Sequence, residues 1–192
     1  MRPYLDSSTY IDFEHPLVRD AAEFLRRAAE NRMALVRSCF EYVRDEIRHS
    51  LDYRQNPVTC RASDVLKYRT GYCYAKSHLL AALLRANGIP AGLCYQRLAV
   101  GDSASLYCLH GLNAVFLDDF GWYRIDARGN KPGIDAQFCP PREALAFSIG
   151  GRGECDLPEI WADPLPCVVA ALEQHDDVLL VAQNLPDIDL WG

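Results

Sequence analysis

Cys73 is the residue whose surroundings point most clearly to chemistry. It follows Thr70-Gly71-Tyr72 directly and begins an apolar run with the period of a helix. The first turn of a helix has free backbone N–H groups and the positive end of the helix dipole, so it favours a thiolate, the form of cysteine that attacks a carbonyl. Gly71 leaves room for a substrate beside the backbone, and the Cys73 N–H is a candidate oxyanion donor. This segment alone supports a nucleophile and a merely packed core cysteine equally.

A nucleophilic thiol needs a base, and the chain offers five histidines. Four of them are excluded as bases by their positions in the chain. His15 and His49 flank the predicted N-terminal helices, and His175 belongs to the C-terminal part. His78 lies about 140° around the helix from Cys73, so it faces another side. His110 lies on a predicted strand, and a strand beside the start of the helix is where an imidazole can meet the thiol. We therefore predict that His110 is the base.

Helices and short strands must position these side chains. Residues 17–49 have helical apolar spacing with a break near Asn31, and residues 73–87 are apolar around most of a helix, which indicates burial. Asn87-Gly88 and the following Ile89-Pro90 end that helix. The other predicted elements are a helical turn at 63–67, strands at 91–98, 109–117 and 122–126, a helical turn at 141–148, and helices at 168–174 and 177–183. This order predicts an α+β fold.

Three blocks, GYCYAKSHLLAALLRANGIPAG, HGLNAVF and GWYRIDARGN, resemble the transglutaminase core that is shared with many bacterial cysteine peptidases. The resemblance covers about residues 36–130, roughly half of the chain. It implies a papain-like fold in which N-terminal helices and a buried nucleophile helix pack on an antiparallel sheet. By motif position it also implies a catalytic triad, with Cys73 as nucleophile, His110 as base and Asp126 as the acid that orients the histidine.

The implied triad requires His110 and Asp126 to lie on one face of the sheet. Side chains alternate along a strand, so the register of the hairpin decides this. Pairing Leu117 with Trp122 puts the two side chains on opposite faces, whereas pairing Leu117 with Gly121 places Asp126 diagonal to His110 and within reach. We therefore predict an odd-length turn or a one-residue bulge near Gly121.

Other candidate site residues rest on weaker arguments. The resemblance implies a second, upstream oxyanion donor, but the indole used in the family has no counterpart among the three tryptophans. Tyr53 or Gln55 is a possible substitute, although a plain loop role is favoured for both. The remaining substrate or oxyanion candidates are Tyr72 beside the nucleophile, Lys76 as a cation that biases the thiol, and Arg128 as a residue of the cleft. The alternatives are a solvated or ion-paired Lys76 and a turn at Arg128.

The length and composition of the chain predict one domain, with a helical N-terminal part at about 16–50, a catalytic core at about 51–140 and a C-terminal helical extension at about 141–192. A net charge of −6 without a basic run argues against binding nucleic acid. No apolar run would span a membrane and the start lacks a secretory pattern, so we expect reduced thiols and a cytoplasmic location. The eight cysteines include no C-x-x-C pair, which argues against a zinc site, and the chemistry requires no cofactor.

The expected function is acyl transfer through a thioester on a peptide or small amide substrate. Hydrolysis is favoured over cross-linking by analogy with bacterial-type proteins. An arylamine N-acetyltransferase has the same order of Cys, His and Asp, but the chain is short for the additional domain of those enzymes. A non-catalytic binding module is the third hypothesis, which the presence of all three residues disfavours. The substrate, the acyl acceptor and the oligomeric state stay open.

Overall fold

A computed structural model describes residues 1–101 and 106–188, so residues 189–192 of the predicted C-terminal extension lie outside the described residues. The helices are α1 Pro16–Ala28, α2 Arg32–Glu41, α3 Ala62–Tyr68, α4 Cys73–Ala86, α5 Pro166–Glu173 and α6 Val178–Gln183. The strands are β1 Arg48–His49, β2 Thr70–Gly71, β3 Ala91–Ala99, β4 Tyr107–Leu117, β5 Gly121–Ile125, β6 Gln137–Cys139, β7 Arg142–Ala144 and β8 Cys155–Asp156. Within the two described ranges, every helix is too short or too polar to cross a membrane.

An antiparallel sheet with the strand order β5-β4-β3-β8 forms one layer of this α+β fold. Strands β4 and β5 pair with Leu117 opposite Gly121, so the turn consists of residues 118–120. The predicted odd-length turn is therefore confirmed. Gly121 has a φ of 73°, a left-handed conformation that glycine adopts without a steric penalty and that a three-residue hairpin loop needs. The same register continues to the pair Asn113 and Ile125, which leaves Asp126 on the face that carries His110.

Helix α4 is the central helix of the fold, and it packs on strands β3 and β4. Its residues are buried from Cys73 to Arg85, as its apolar circumference predicts. Gly88, with a φ of 68°, follows the end of the helix and confirms the predicted cap. Burying one leucine such as Leu79 stabilises a fold by roughly 1.5–3 kcal/mol, so the many buried side chains of α4 hold its first turn firmly in place.

Helices α1, α2 and α3 cover the side of α4 that faces away from the sheet. The predicted break near Asn31 is confirmed, because Asn31 caps α2 and its Oδ1 accepts a hydrogen bond of 2.9 Å from the Ala34 N–H. One hydrophobic core runs from Ile11 in the N-terminal segment to Val181 in α6. This core contains residues from the N-terminal, central and C-terminal parts of the chain.

The helical turn predicted for residues 141–148 is wrong. Residues 142–144 form strand β7, which pairs with β6 through Cys139 opposite Arg142. Pro140 and Pro141 form the two-residue connection between these strands. Because proline has no backbone N–H group, this pair suits a turn and disfavours a helix across it. Pairing with β6 therefore overrides the helix propensity of Glu143 and the residues that follow it.

Candidate active site

Cys73 is the first residue of α4, where backbone donors are free. The first donor satisfied within the helix is the Lys76 N–H, which bonds the Tyr72 carbonyl at 2.9 Å. The N–H groups before it, including that of Cys73, have no intrahelical acceptor. Cys73 is 4% exposed and lines a cleft, so its sulfur is not sealed inside the core.

His110 and Asp126 form a buried pair directly beside this thiol. The Nε2 atom of His110 lies 2.7 Å from Oδ2 of Asp126. The Arg128 N–H donates to Oδ1 and the Ala146 N–H donates to Oδ2, each at 3.1 Å, so the fully buried carboxylate is satisfied by three donors. Since Asp126 occupies Nε2, the other ring nitrogen, Nδ1, is the one available to the Cys73 thiol.

The local charges favour a protonated histidine. Burial by itself lowers the pKa of His110, but the charge and hydrogen bond of Asp126, with a hydrogen bond to Cys73, outweigh burial and raise the pKa to about 10. Burial by itself raises the pKa of Asp126, but the charge and hydrogen bond of His110 and two backbone N–H donors lower it. Both shifts favour an ion pair, and an imidazolium beside a thiol is an arrangement that activates cysteine nucleophiles.

Gly111 allows strand β4 to approach the first turn of α4. A Cβ atom at this position would lie 2.9 Å from Cδ1 and 3.2 Å from Cα of Tyr74. The Tyr74 hydroxyl donates to the carbonyl oxygen of Leu109, which ties the same turn to the same strand. The missing side chain at Gly111 therefore lets His110 reach Cys73. This glycine was not among the predicted site residues.

The Gly111→Ala substitution is expected to reduce the free energy of unfolding by about 1–3 kcal/mol, because the added methyl group must displace Tyr74. Urea denaturation measures this change. Gly150→Ala is a matched control, since its added Cβ would have no atom within 4 Å and the expected change is within about 0.5 kcal/mol. Equal losses in both variants would contradict a close contact at Gly111.

The cleft that contains the triad has a volume of about 450 Å³. The larger apolar side chains of its lining are Leu51, Leu98, Val100, Leu109, Phe147 and Leu185. The ring of Phe147 meets that of His110 edge to face, with centroids 4.8 Å apart. A larger groove of about 1070 Å³ lies beside α1, but it is lined mainly by polar and charged side chains and by none of the triad. The smaller cleft is therefore the candidate active site.

Gly71 does not line the cleft. A Cβ atom on it would lie 3.3 Å from Cβ of Ala75 and from Oγ1 of Thr59. The protein itself uses the space that Gly71 leaves, so the prediction that it admits substrate is wrong.

Lys76 also points away from the cleft and is fully buried. Its ammonium donates to the carbonyl oxygens of Arg44, within the short π-helix Tyr42–Glu46 that follows α2, and of Ile47, directly after it. Burial lowers the pKa of Lys76 to about 7, and the nearby charge of Arg128 adds to this effect. Both predicted alternatives, a solvated lysine and an ion-paired one, are wrong for the part of the chain that the structure describes. A role in biasing the thiol is not supported either, because the ammonium is used by backbone carbonyls.

The predicted upstream oxyanion donors, Tyr53 and Gln55, do not reach the site. Tyr53 is 63% exposed, and neither residue lines the cleft. The Gln55 N–H donates to the Ser50 carbonyl at 2.8 Å, which closes the loop after β1. The loop role that the sequence analysis favoured is the one observed, and the oxyanion role is wrong.

Tyr72 and Arg128 line the cleft, as predicted for Arg128. The two terminal nitrogens of Arg128 donate to both oxygens of Asp52 at 2.7 and 3.0 Å, so its charge is already paired. Asp52 also accepts from Lys131 at 2.6 Å, and these cations keep the pKa of the carboxyl low although burial opposes them.

His49 lines the cleft, although position along the chain set it aside. It lies opposite Gly71 in the parallel pairing of β1 with β2, which brings it next to the start of α4. Two-residue strands leave no periodic pattern, so no signal in the sequence indicates this contact.

The family model of the transglutaminase-like superfamily matches residues 19–127, which is more than half of the chain and includes all three members of the triad. The chain belongs to the transglutaminase-like superfamily. Members of this superfamily are cysteine-dependent acyl transferases or peptidases. No curated protein matches the sequence.

Solved structures of this superfamily's fold are similar to the chain. A candidate cysteine protease from Cytophaga hutchinsonii superimposes with a TM-score of 0.54 at 21% identity, over 66% of this chain and 41% of that one. The periplasmic domain of TgpA from Pseudomonas aeruginosa, bound to ethylmercury, gives 0.50 at 24% identity, over 65% of this chain and 46% of that one. The matches span less than half of either neighbour, and at these identities they support the papain-like fold alone.

Proposed function

We propose that this transglutaminase-like protein catalyses thiol-dependent acyl transfer on an amide or peptide carbonyl. Cys73 is the nucleophile, His110 the base and Asp126 the orienting acid. The observation that supports this most strongly is the His110 imidazole, whose Nε2 lies 2.7 Å from Asp126 and which lines the same cleft as Cys73, where a hydrogen bond to the thiol helps raise the pKa of the ring. These are the spatial relations that nucleophilic catalysis by cysteine requires.

The proposed reaction has two steps. In the resting site the thiol proton lies on Nδ1 of His110, which gives a thiolate beside an imidazolium, and the sulfur attacks the carbonyl carbon while the π electrons move to the carbonyl oxygen. The oxyanion lies near the Cys73 N–H. Collapse of the intermediate forms a thioester and expels the amine, which takes the proton from His110. Water then gives a proton to His110 and attacks the thioester. The resulting intermediate expels the sulfur, which shares the proton on His110 again, and a carboxylic acid is released.

The lining of the cleft supports an uncharged acyl group. Apolar side chains line much of the cleft that holds Cys73 and His110, and its charged groups already have partners. Arg128 is bound to Asp52, and the carboxylate of Glu154 accepts from the backbone N–H groups of Ala99 and Gly151 at 3.0 and 2.7 Å. We propose peptides or small amides with an apolar side chain at the acyl position, with water as the usual acceptor. A cytoplasmic location remains part of the proposal.

Acylation by p-nitrophenyl acetate tests the proposed function. The full chain is expected to release p-nitrophenolate and to carry an acetyl group on Cys73, located by peptide mass spectrometry. Cys73→Ala should lose both signals. Slow loss of the acetyl group from Cys73 in water indicates hydrolysis. If a primary amine makes this loss faster and an amide forms, the protein transfers the acyl group to the amine. Acetylation of no cysteine, or equally of several, would indicate a binding module and overturn the proposal.

A further inference from the structure

His49 is a buried imidazole that opens onto the cleft. Its side chain is 4% exposed, and it lines the cleft together with Cys73 and His110. Its Nδ1 atom has no hydrogen-bond partner and lies 3.8 Å from Oδ2 of Asp52, which is beyond hydrogen-bonding distance. Because Nδ1 is enclosed, Nε2 is the ring nitrogen that remains available to the cleft that this side chain lines. Because this imidazole lines the cleft beside Cys73, it is placed to contact a ligand that binds there.

Backbone pairing and ring packing hold this imidazole at the start of α4. His49 lies opposite Gly71, two residues before Cys73. The N–H of the next residue, Ser50, donates to the Gly71 carbonyl at 3.0 Å. The ring is tilted by 51° against that of Tyr72, with centroids 4.9 Å apart. The imidazole therefore stands on the side of the cleft where the free N–H groups of α4 are.

The surroundings favour a neutral ring. Burial lowers the pKa of His49 well below its usual value, the charge of Arg128 lowers it further, and Asp52 opposes them only in part. Asp52 is already bound by Arg128 and Lys131, so it does not compete for the ring proton. In a neutral imidazole one nitrogen carries the proton. Buried N–H groups without an acceptor are rarer than buried acceptors without a donor, which favours a proton on Nε2 rather than on the enclosed Nδ1.

We propose that His49 donates a hydrogen bond from Nε2 to the substrate carbonyl oxygen as that oxygen becomes an oxyanion. With the Cys73 N–H it forms a two-donor oxyanion site, and this inference rests on the proposed acyl transfer at Cys73. His49 therefore has the role of second oxyanion donor that was predicted for Tyr53 or Gln55. A fixed donor in a partly closed site stabilises the transition state without needing to reorient.

Two reactions of Cys73 separate this role from simple support of the triad. Acylation by p-nitrophenyl acetate passes through an oxyanion, whereas alkylation by iodoacetamide displaces iodide without one. His49→Ala is expected to slow acylation about 100-fold and to leave alkylation unchanged. His49→Gln, whose side-chain amide can donate, should recover part of the acylation rate.

His78→Gln is the matched control. His78 is equally buried and its Nδ1 lies 2.7 Å from the Cys60 carbonyl oxygen, away from the cleft. Neither rate should change in this variant if it remains folded by circular dichroism.

Three outcomes would overturn the inference while the wild type is still acylated on Cys73. The first is an equal loss of the acylation and alkylation rates in His49→Ala, and the second is an unchanged acylation rate in that variant. The third is a loss of acylation without a loss of alkylation in Tyr72→Phe, which would assign the donor to the Tyr72 hydroxyl. A wild type that is not acylated on Cys73 overturns the proposed function as well, so the two failures are distinguished.

Discussion

Replacing His110 with alanine is expected to slow the alkylation of Cys73 by iodoacetamide about 100-fold at neutral pH, the lower end of what a positioned acid–base group contributes. The raised pKa of His110, about 10, keeps the ring charged beside the thiol, and a cation there favours the reactive thiolate. Without the ring, the rate should rise with pH as that of an ordinary thiol does.

The other cysteines serve as internal standards for this measurement. Burial raises the pKa of four of them to about 12, which makes them slow to alkylate: Cys39, Cys60, Cys94 and Cys108. Mass spectrometry of each labelled peptide over time gives the individual rates. His175→Ala, a histidine outside the cleft, should leave the Cys73 rate unchanged. If His110→Ala also leaves it unchanged, His110 does not activate the thiol.

The second large effect is expected for Asp126→Asn, which should slow acylation of Cys73 by p-nitrophenyl acetate about 10³–10⁴-fold. The asparagine amide can donate to Nε2 of His110, which moves the ring proton to Nδ1. A protonated Nδ1 in a neutral ring cannot accept the thiol proton, so the base is lost although the side chain is nearly the same size. Stopped-flow release of p-nitrophenolate measures the change.

The same substitution should alter the dependence of stability on pH. Because folding raises the pKa of His110, the stabilisation from its protonated form is complete below about pH 6.5 and is lost as pH rises to about 10. Because folding lowers the pKa of Asp126, its contribution is present above about pH 4 and is lost at lower pH. The difference in unfolding free energy between wild type and Asp126→Asn is therefore expected to be largest between about pH 4 and 6.5.

Asp118→Asn provides the control for both measurements, since Asp118 is 70% exposed on the hairpin turn. Its effect on stability should stay within about 0.5 kcal/mol at every pH. An Asp126→Asn protein with wild-type acylation would show that the carboxylate does not orient His110.

Local patterns in the sequence predict the elements that carry the triad. The apolar circumference and the Gly88 cap define α4 and leave Cys73 at its first turn. The length of the turn before Gly121 follows from the requirement that His110 and Asp126 share a face. These features succeed as predictions because period, capping and alternation are encoded by residues close together in the chain.

Contacts between distant residues complete the site, and they leave no local pattern. The pairing of β1 with β2 brings His49 to the cleft, and the β6–β7 hairpin replaces a predicted helical turn. The Ala146 N–H reaches Asp126 from beyond that hairpin, and Arg128 meets Asp52 across 76 residues of chain.

The family resemblance predicts the order of the proposed nucleophile, base and acid, and local patterns in the sequence predict the elements on which they lie. The side chains that surround them depend on tertiary packing, which leaves Tyr53, Gln55, Gly71 and Lys76 outside the cleft and brings His49 into it. The physical reason is that hydrogen-bond periodicity and turn chemistry act over a few residues, whereas the lining of a cleft is set by how whole elements pack around one core.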